Sequence, residues 1–492
     1  MLKLASCDSQ GSVYIGASAV YRPVVAEHAN QVQEVLQIIG NGIDGVIETV
    51  VCEGDALPSE LKALAQPLTL QHRKVAYVSY PHEWCAAMLQ DAAVFHLALS
   101  ERLLAKGLTL KDAHPWNILF DCGQPVFVDF TSLTTGQGLF AEEYLEANRQ
   151  YQNAPVEKRR VALIREIFAR MYQPYFLNPL TFYACGERYR VRFLIENTTL
   201  NASTSTISLR ECLPSYRIGR STVKKVVRFF KASKSEKKAF AKLDGDSNIG
   251  AFYADMRRHV ESLPVAIGAS AYSAYYSEKG EDHNWSYSQN WSAKQKSVHD
   301  ALNSPDIFSV LDVACNTGWF SLMAEKLGKS VVAFDIDEAC IETLYTRVRD
   351  ARLNVLPLVM NFTQLTQDRY SIHDGNKVLI NAVERLRSDS VIALGIIHHL
   401  VLGLGLSFDE VLDPLIALSK KQLVIEFVDA NDAMIQKEPE FFPAYCKNRD
   451  LITAYDMQAL ITKVESQGYV VDVRASHPET RKMLVCNRRA PA

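Results

Sequence analysis

From about residue 300 the chain alternates between short apolar runs and longer segments whose apolar residues recur every three or four positions. Short apolar runs predict buried strands, and the longer spacing predicts helices with one apolar face. The predicted strands cover 310–313, 331–334, 355–359, 391–397, 423–428, 468–473 and 482–486, and the predicted helices cover 317–327, 338–352, 408–419 and 457–467. This alternation predicts an α/β fold with a mostly parallel, doubly wound sheet and an antiparallel last strand.

A turn of small residues joins the first predicted strand to the first predicted helix. Asp312 lies in the strand, the second strand ends on Asp335, and the small residues of the turn alternate: Ala314, Asn316 and Gly318. A strand, a tight turn, a helix and a second strand that ends on an acid form the first half of a nucleotide-binding sheet. The acid is placed to accept hydrogen bonds from both hydroxyls of a ribose.

The spacing of these small residues favours one class of nucleotide. A dinucleotide site uses Gly-x-Gly-x-x-Gly, because the pyrophosphate rests on the helix N-terminus and the third glycine allows close helix packing. Here the small residues fall at every second position, and Trp319 and Phe320 follow the last of them. The arrangement resembles motif I of the class I, Rossmann-like S-adenosylmethionine (SAM) methyltransferases, Asp-x-Gly-x-Gly-x-Gly. An NAD site and a Rossmann remnant without a ligand are the alternatives.

The resemblance implies a set of SAM-binding residues. Asp312 would meet the cationic methionine end, Asp335 the ribose, Ile336 the adenine ring and Asn361 the adenine amino group. Lys294 follows an aromatic segment and would meet the SAM carboxylate; a surface helix that buries its tryptophans is the alternative for this segment. The full set is Asp312, Ala314, Cys315, Asn316, Gly318, Asp335, Ile336, Asn361, Phe362 and Lys294. Asn316 replaces a glycine, and asparagine tolerates left-handed backbone better than other residues.

Two histidines end the fourth predicted strand, where an acceptor would meet the methyl group. His398 or His399 is the candidate general base, because an imidazole titrates near neutral pH. Glu426 on the fifth strand would orient a histidine or bind a substrate amine. A structural role for one histidine is the alternative. Adjacent residues on a strand point to opposite faces, so this pair does not predict a metal site.

The N-terminal half carries a second set of chemical residues. Asp112-Ala-His-Pro-Trp-Asn117-Ile-Leu, a short hairpin and then Asp129 resemble the catalytic and metal-binding loops of aminoglycoside and other small-molecule kinases. The resemblance implies an α+β kinase-like domain in which Asp112 is the base and Asn117 and Asp129 hold the Mg²⁺ of Mg-ATP. Leu110 replaces the usual histidine, and Arg22 stands where a strand lysine is expected. A scaffold, an active kinase and a nucleotide or phosphate binder all remain open.

Length and composition set the outer limits. At 492 residues the chain predicts several domains. We expect an N-terminal lobe at 1–75, a kinase-like helical lobe at 76–220, a basic and aromatic linker with a helical cap at 221–299, and the methyltransferase domain at 300–492. A net charge of −3 disfavours nucleic acid as a partner. Ten cysteines without a Cys-x-x-Cys pair favour a reducing cytoplasm and no zinc. No apolar run predicts a membrane span.

The order of motifs along the chain resembles one bacterial family. The matching segments are Tyr80-Pro-His-Glu-Trp84, Leu89-Gln-Asp-Ala-Ala93, Leu110-Lys-Asp-Ala113, Pro125-Val-Phe-Val-Asp129, Leu356-Pro-Leu-Val-Met360, Glu384-Arg385, Ile397-His-His-Leu400 and Ile425-Glu-Phe-Val428. They are similar to the NoeA-like nodulation methyltransferases. The loop 361–367 departs from that family, so we expect the substrate to differ.

The resemblance implies SAM-dependent methyl transfer to a hydroxyl, phosphate or amine of a small molecule or glycan, with the kinase-like half as a scaffold or docking domain. Two alternatives stay open at this point. One is a bifunctional kinase and methyltransferase that phosphorylates and then methylates its acceptor. The other is a non-catalytic SAM-binding scaffold. The sequence predicts no oligomeric state.

Overall fold

The computed structural model describes residues 2–3, 11–188, 191–192, 220–244, 248–273, 285–370, 377–437, 442 and 455–489. The chain divides into two compact units. Unit 1 comprises Met1–Val75 and Ser79–Ile267, and unit 2 comprises Ala76–Val78 and Gly268–Ala492. The helix Arg220–Asp244, predicted to belong to a linker, therefore groups with unit 1, and the boundary falls before the predicted residue 300.

Unit 1 begins with an antiparallel sheet. Its strands are β1 (Leu2–Lys3), β2 (Tyr14–Ile15), β3 (Ala19–Val24), β4 (Thr49–Val51) and β5 (Leu68–Arg73), in the order β1-β2-β3-β5-β4. The helix Ala26–Ile39 follows β3 and buries Ala29, Val32, Val35 and Ile39 on one face, and a short helix Ser59–Lys62 precedes β5. Arg22 lies on β3, which pairs with a strand on each side.

The rest of unit 1 is mainly helical. The helix Ala86–Ala105 leads into β6 (Leu108–Leu110), the hairpin β7 (Ile118–Asp121) and β8 (Gln124–Phe127), and β9 (Leu133–Thr135). The later helices are Gly136–Phe140, Glu146–Gln150, Val156–Ile167, the π-helical Phe168–Leu177, Asn178–Ala184, Arg220–Asp244 and Ile249–Glu261. A small antiparallel sheet followed by helices, with a hairpin between the predicted catalytic residues, is the α+β arrangement expected for this half.

Unit 2 contains a seven-stranded sheet among its described residues. The strands are β10 (Ser309–Val313), β11 (Ser330–Asp335), β12 (Val355–Val359), β15 (Ser388–Ala393), β16 (Ser419–Val428), β17 (Tyr469–Ala475) and β18 (Arg481–Arg488), in the order β12-β11-β10-β15-β16-β18-β17. In this sheet β18 pairs antiparallel with both β16 and β17, and the remaining neighbouring strands pair parallel. A separate hairpin joins β13 (Arg369–Tyr370) to β14 (Lys377–Leu379).

Helices connect these strands. They are Ala293–Leu302, Trp319–Lys326, Glu338–Ala351, Ala382–Arg385, Phe408–Leu418, Ala433–Lys437 and Met457–Ser466. Every residue of β15 is buried, and β10 is buried apart from its first residue. Central parallel strands are buried in this way because helices cover both faces of the sheet.

The chain moves in opposite directions from the centre of the sheet. It adds β11 and then β12 on one side of β10, and β15 and β16 on the other. Ligands of open α/β sheets bind beyond the carboxyl ends of the strands where this reversal occurs. The fold therefore places the candidate site beyond the ends of β10 and β15.

The fourth core strand is shorter than its apolar run predicted. The prediction of a strand over 391–397 is wrong, because β15 ends at Ala393 and residues from Ile397 onward are helical. Gly395 has a φ of +67°, which an extended strand does not adopt. His398 and His399 therefore lie in a helical turn beyond the strand, and not on its end.

Gly318 controls how closely two helices approach. It has a φ of +79° at the start of the helix Trp319–Lys326, and a Cβ built on it would lie 2.5 Å from Leu344 Cδ1 of the helix Glu338–Ala351. Leu344 is fully buried, so its side chain has little room to move. Gly328 has a similar φ of +74° but would meet no atom within 4 Å.

These two glycines allow a matched test of the close approach. Gly328→Ala should lower the free energy of unfolding by about 1 kcal/mol, the cost of a left-handed alanine. Gly318→Ala should cost about 1–3 kcal/mol more, because the new methyl group overlaps Leu344. Denaturant unfolding of the whole chain measures both. Equal losses in the two variants would show that the helices accommodate the methyl group.

Candidate functional site

The turn after β10 adopts the backbone that its small residues allow. Ala314, Asn316 and Gly318 have φ values of 56°, 53° and 79°, so left-handed residues alternate with right-handed or extended ones. Cys315 N–H donates to the carbonyl of Phe334 on β11 over 3.0 Å, which ties the turn to the neighbouring strand. Asparagine at the second position holds the left-handed conformation, as expected for this residue type.

Asp335 is the last residue of β11, and hydrogen bonds from backbone N–H groups fix the orientation of its carboxylate. Oδ2 accepts from Asn316 N–H over 2.8 Å, and Oδ1 accepts from Asp337 N–H over 2.9 Å. Burial raises the pKa of Asp335 above its usual value, and the backbone hydrogen bonds oppose that shift. Each carboxylate oxygen has two lone pairs, so both oxygens keep capacity for further donors such as two vicinal hydroxyls.

The residues expected to contact the adenine base differ in whether their side chains are free to do so. Ile336 is 68% exposed beside Asp335, so its side chain is free to pack on a flat ring. Asn361 instead uses its side-chain oxygen within the chain, where it accepts from Thr363 N–H over 3.1 Å and from the Thr363 hydroxyl over 3.0 Å. Both lone pairs of that oxygen are occupied, which disfavours its predicted role as acceptor for an adenine amino group. The neighbouring Phe362 is buried.

Asp312 is held inside the fold. Its side chain is buried and accepts from the Ser321 hydroxyl over 2.6 Å. Burial raises the pKa of Asp312 to about 7, and the nearby Asp335 adds to the shift while Lys294 opposes it. A contact between its carboxylate and the methionine end of SAM therefore stays a prediction, and the observed partner is Ser321.

Lys294 lies in the helix Ala293–Leu302 and pairs with Glu426, the residue predicted to orient a histidine or to bind a substrate amine. Its Nζ is 2.6 Å from Glu426 Oε2 and 5.5 Å from the centre of the Phe320 ring. Glu426 is fully buried on β16, and its other oxygen accepts from the Ser476 hydroxyl over 2.8 Å. The sequence predicted neither the Lys294–Glu426 pair nor Ser476, since no local spacing links these distant positions.

The aromatic segment before this helix is predicted either to lie at the cofactor or to be a surface helix that buries its tryptophans. Trp291 is buried, and its ring centre lies 5.3 Å from that of Trp319 at the start of the helix after the turn. Tyr287 remains 50% exposed. Trp291 therefore packs against the fold, but it precedes the helix Ala293–Leu302, and Trp285 is only half-buried, so the segment is not the predicted helix that buries both tryptophans.

The two histidines lie side by side. Their ring centres are 4.2 Å apart, and Phe442 stacks on His399 with its ring centre 5.3 Å away. The expectation that the rings diverge is wrong, because it assumed a strand. His398 is buried, and neither of its ring nitrogens has a hydrogen-bond partner within the described parts of the chain.

Burial keeps both imidazoles uncharged. It lowers the pKa of His398 well below the usual value, and the neighbouring His399 and Arg481 disfavour the protonated form further. Burial and then Arg481 also lower the pKa of His399. Arg481 itself is held by Asp432, whose carboxylate accepts from it over 3.0 and 3.2 Å. A neutral imidazole with a free nitrogen can accept a proton from a substrate.

In unit 1, Asp129, one of the two residues predicted to hold Mg²⁺, is bonded to a positively charged arginine. Arg22 Nη1 donates to Asp129 Oδ1 over 2.8 Å. Asn117 is a near neighbour, because its carbonyl accepts from Val128 N–H over 2.9 Å, and its amide nitrogen is buried without a hydrogen-bond partner in the described residues. Asp112 N–H donates to the Ser132 hydroxyl over 3.1 Å.

Two negative findings apply to the described ranges alone. They contain no group of three or more His, Cys, Asp or Glu side chains that could hold a metal ion. None of their helices is long and apolar enough to cross a membrane.

The strand order, the left-handed turn and the acid that ends β11 define the class of unit 2, a doubly wound α/β domain of the class I methyltransferase type. The chain is similar to the nodulation protein NoeA of Rhizobium meliloti (strain 1021), with 23% identity over 414 residues, 82% of this chain and 78% of that protein. This similarity confirms the resemblance to NoeA-like proteins. No family model matches the chain.

Two solved structures show a more distant likeness. The bifunctional kinase-methyltransferase WbdD is 16% identical with a TM-score of 0.27, and the match covers 39% of this chain and 38% of WbdD, less than two thirds of its length. The magnesium protoporphyrin IX methyltransferase ChlM from Synechocystis PCC 6803, with bound S-adenosylhomocysteine (SAH), is 15% identical with a TM-score of 0.26, and the match covers 54% of this chain and 98% of ChlM. Likenesses with TM-scores this low do not show the function of this chain.

Asp335 provides the direct test of the ribose contact. Asp335→Ala should weaken the binding of SAH roughly 10–100-fold, because it removes hydrogen bonds to a charged acceptor. Isothermal titration calorimetry with the whole chain measures the affinity. Asp350→Ala is the control, since Asp350 is an exposed acid at the far end of the following helix that pairs with Arg349. Equal affinity in Asp335→Ala and Asp350→Ala would remove the ribose assignment.

Proposed function

We propose that this protein is a SAM-dependent methyltransferase whose cofactor binds beyond the carboxyl ends of β10 and β11. The observation that carries the proposal is the Asp335 carboxylate, which backbone N–H groups of the left-handed turn and of Asp337 hold in a fixed orientation. An aimed acceptor beside the exposed Ile336 suits a ribose joined to an adenine ring. The turn residues Ala314, Cys315, Asn316 and Gly318 line the approach to this acceptor.

SAM would supply an electrophilic methyl group to an acceptor that the residues after β15 hold. His398 and His399 follow that strand, and burial keeps both imidazoles neutral at pH 7. His399 is half-buried and can take the proton from an attacking hydroxyl or amine, whereas His398 is fully buried beside it. Phe442 packs beside the two imidazoles, with its ring centre 5.7 Å from that of His398 and 5.3 Å from that of His399. We infer an acceptor with a nucleophilic hydroxyl, phosphate or amine, on a small molecule or a glycan.

Glu426 has a positioning role in this proposal. Lys294 and Ser476 occupy one carboxylate oxygen each, and the side chain is fully buried. A buried carboxylate that kept only one partner would be strongly destabilised, so Glu426 and Lys294 hold each other in place. The pair thereby anchors the helix Ala293–Leu302 against β16. Unit 1 serves as a scaffold or substrate-docking part.

The experiment that tests this function follows SAH production. The whole chain is incubated with SAM and a panel of hydroxyl-, phosphate- and amine-bearing sugars and metabolites, and SAH is quantified. Release of SAH that depends on one acceptor class supports the proposal and names the class. Tight SAH binding without release on any member would favour the alternative, a non-catalytic SAM-binding scaffold.

The histidines make a further prediction. The double variant His398→Ala, His399→Ala should bind SAH like the wild type yet lose methyl transfer roughly 100–10,000-fold, the usual contribution of a general base. Because burial lowers the pKa of both histidines, their neutral forms already predominate at the usual histidine pKa of 6.5. The wild-type rate should therefore stay level above that pH and fall only in more acidic solution. Steady-state rates across pH measure this; full activity of the double variant would dismiss the base.

A further inference from the structure

The environment of Asp129 departs from that of a metal-binding kinase aspartate. In protein kinases a strand lysine pairs with a glutamate of the following helix, and this leaves the aspartate after the hairpin to hold Mg²⁺. In unit 1 the equivalent strand is β3 and the following helix is Ala26–Ile39. The acids of that helix, Glu27 and Glu34, are both exposed. The inward-facing Gln31 bonds to the Thr134 hydroxyl over 2.6 Å.

Arg22 instead reaches Asp129. The guanidinium donates to Asp129 Oδ1 over 2.8 Å and also to the hydroxyl of Thr131. Thr131 in turn donates to the same Asp129 oxygen over 2.9 Å. The side chains of Arg22 and Asp129 are only 9% and 16% exposed. The three side chains thus form a largely buried network around Oδ1 of Asp129, one of the two oxygens that a metal ion could use.

The charge of Arg22 is fixed where a metal charge would otherwise lie. A guanidinium does not lose its proton in proteins, and it binds carboxylates with good geometry. Burial and then the positive charge of Arg22 lower the pKa of the neighbouring His72 to about 4, and Asp129 opposes that shift. A divalent cation at Asp129 would meet this charge at close range. Displacing Arg22 would leave a buried charge without its partner, which is strongly unfavourable.

We propose that Arg22 takes the place of Mg²⁺ at Asp129, so that unit 1 excludes divalent cations from this carboxylate and does not perform Mg²⁺-dependent phosphoryl transfer. The strand position of Arg22 supports this role, because β3 pairs with β2 and β5 on its two sides and its backbone is therefore fixed, while its side chain is only 9% exposed. This inference concerns unit 1 and is independent of methyl transfer by unit 2. It makes the bifunctional kinase alternative unnecessary.

Binding of Mn²⁺ tests the proposal on the whole chain. Mn²⁺ substitutes for Mg²⁺, and its electron paramagnetic resonance signal reports the free ion. Wild-type protein and Asp129→Asn should give superimposable titrations, with and without ATP. Arg22→Gln should gain a Mn²⁺ site at least ~10-fold tighter than any in the wild type, because a carboxylate is released from its cation. The double variant Arg22→Gln, Asp129→Asn should lose that site again.

Arg73→Gln is the matched control. Arg73 also pairs with carboxylates, Glu48 and Asp121, but its side chain is 41% exposed. Its loss should create no comparable Mn²⁺ site, because water already screens those acids. A gain in Arg73→Gln equal to that in Arg22→Gln would contradict a specific role for Arg22.

Two outcomes would overturn the proposal. One is wild-type binding of Mn²⁺, or Mg²⁺-dependent ATP turnover, that Asp129→Asn abolishes. The other is folded Arg22→Gln protein that gains no metal site. The comparison of the wild type with Asp129→Asn needs no Arg22 variant, so it decides the matter even where Arg22→Gln does not fold.

Discussion

The reversal of chain direction between β10 and β15 is the constraint on which the candidate site depends. Parallel neighbours force each connection to cross a face of the sheet, and the two halves of the sheet then diverge from its centre. The carboxyl ends of β10, β11 and β15 consequently meet at one edge. The left-handed turn, the Asp335 carboxylate and the histidine turn all follow one of these three strand ends. None of them would be near the others in an antiparallel meander.

Buried charge shapes both units, with different consequences. In unit 2, Glu426 is buried and shared between Lys294 and Ser476, which fixes elements around the strand ends. In unit 1, Asp129 is largely buried and its Oδ1 is shared between Arg22 and Thr131, which puts a fixed positive charge where a metal ion would bind. A buried carboxylate requires partners in either case. Whether those partners come from the chain or from a ligand decides what the site can bind.

Much of the sheet of unit 2 could be predicted from the sequence, because parallel core strands are continuous apolar runs and the helices between them have a clear period. β12 was predicted to the residue, and the helix Glu338–Ala351 to within one. The fourth strand failed because the apolar run continues through Gly395 into a helical turn, and composition cannot separate the two. The ion pairs Lys294–Glu426 and Arg22–Asp129 could not be predicted either. They join positions more than 100 residues apart, and only the folded topology brings them together.

Calorimetric titration of the whole chain with SAH tests the central claim most directly. We expect a single SAH-binding event in the wild type, with an affinity that Asp335→Ala weakens and Asp350→Ala leaves unchanged. Absence of binding in the folded wild-type protein would mean that a turn with alanine and asparagine in place of two glycines no longer admits the cofactor. That result would contradict the assignment of unit 2 as a SAM-dependent methyltransferase.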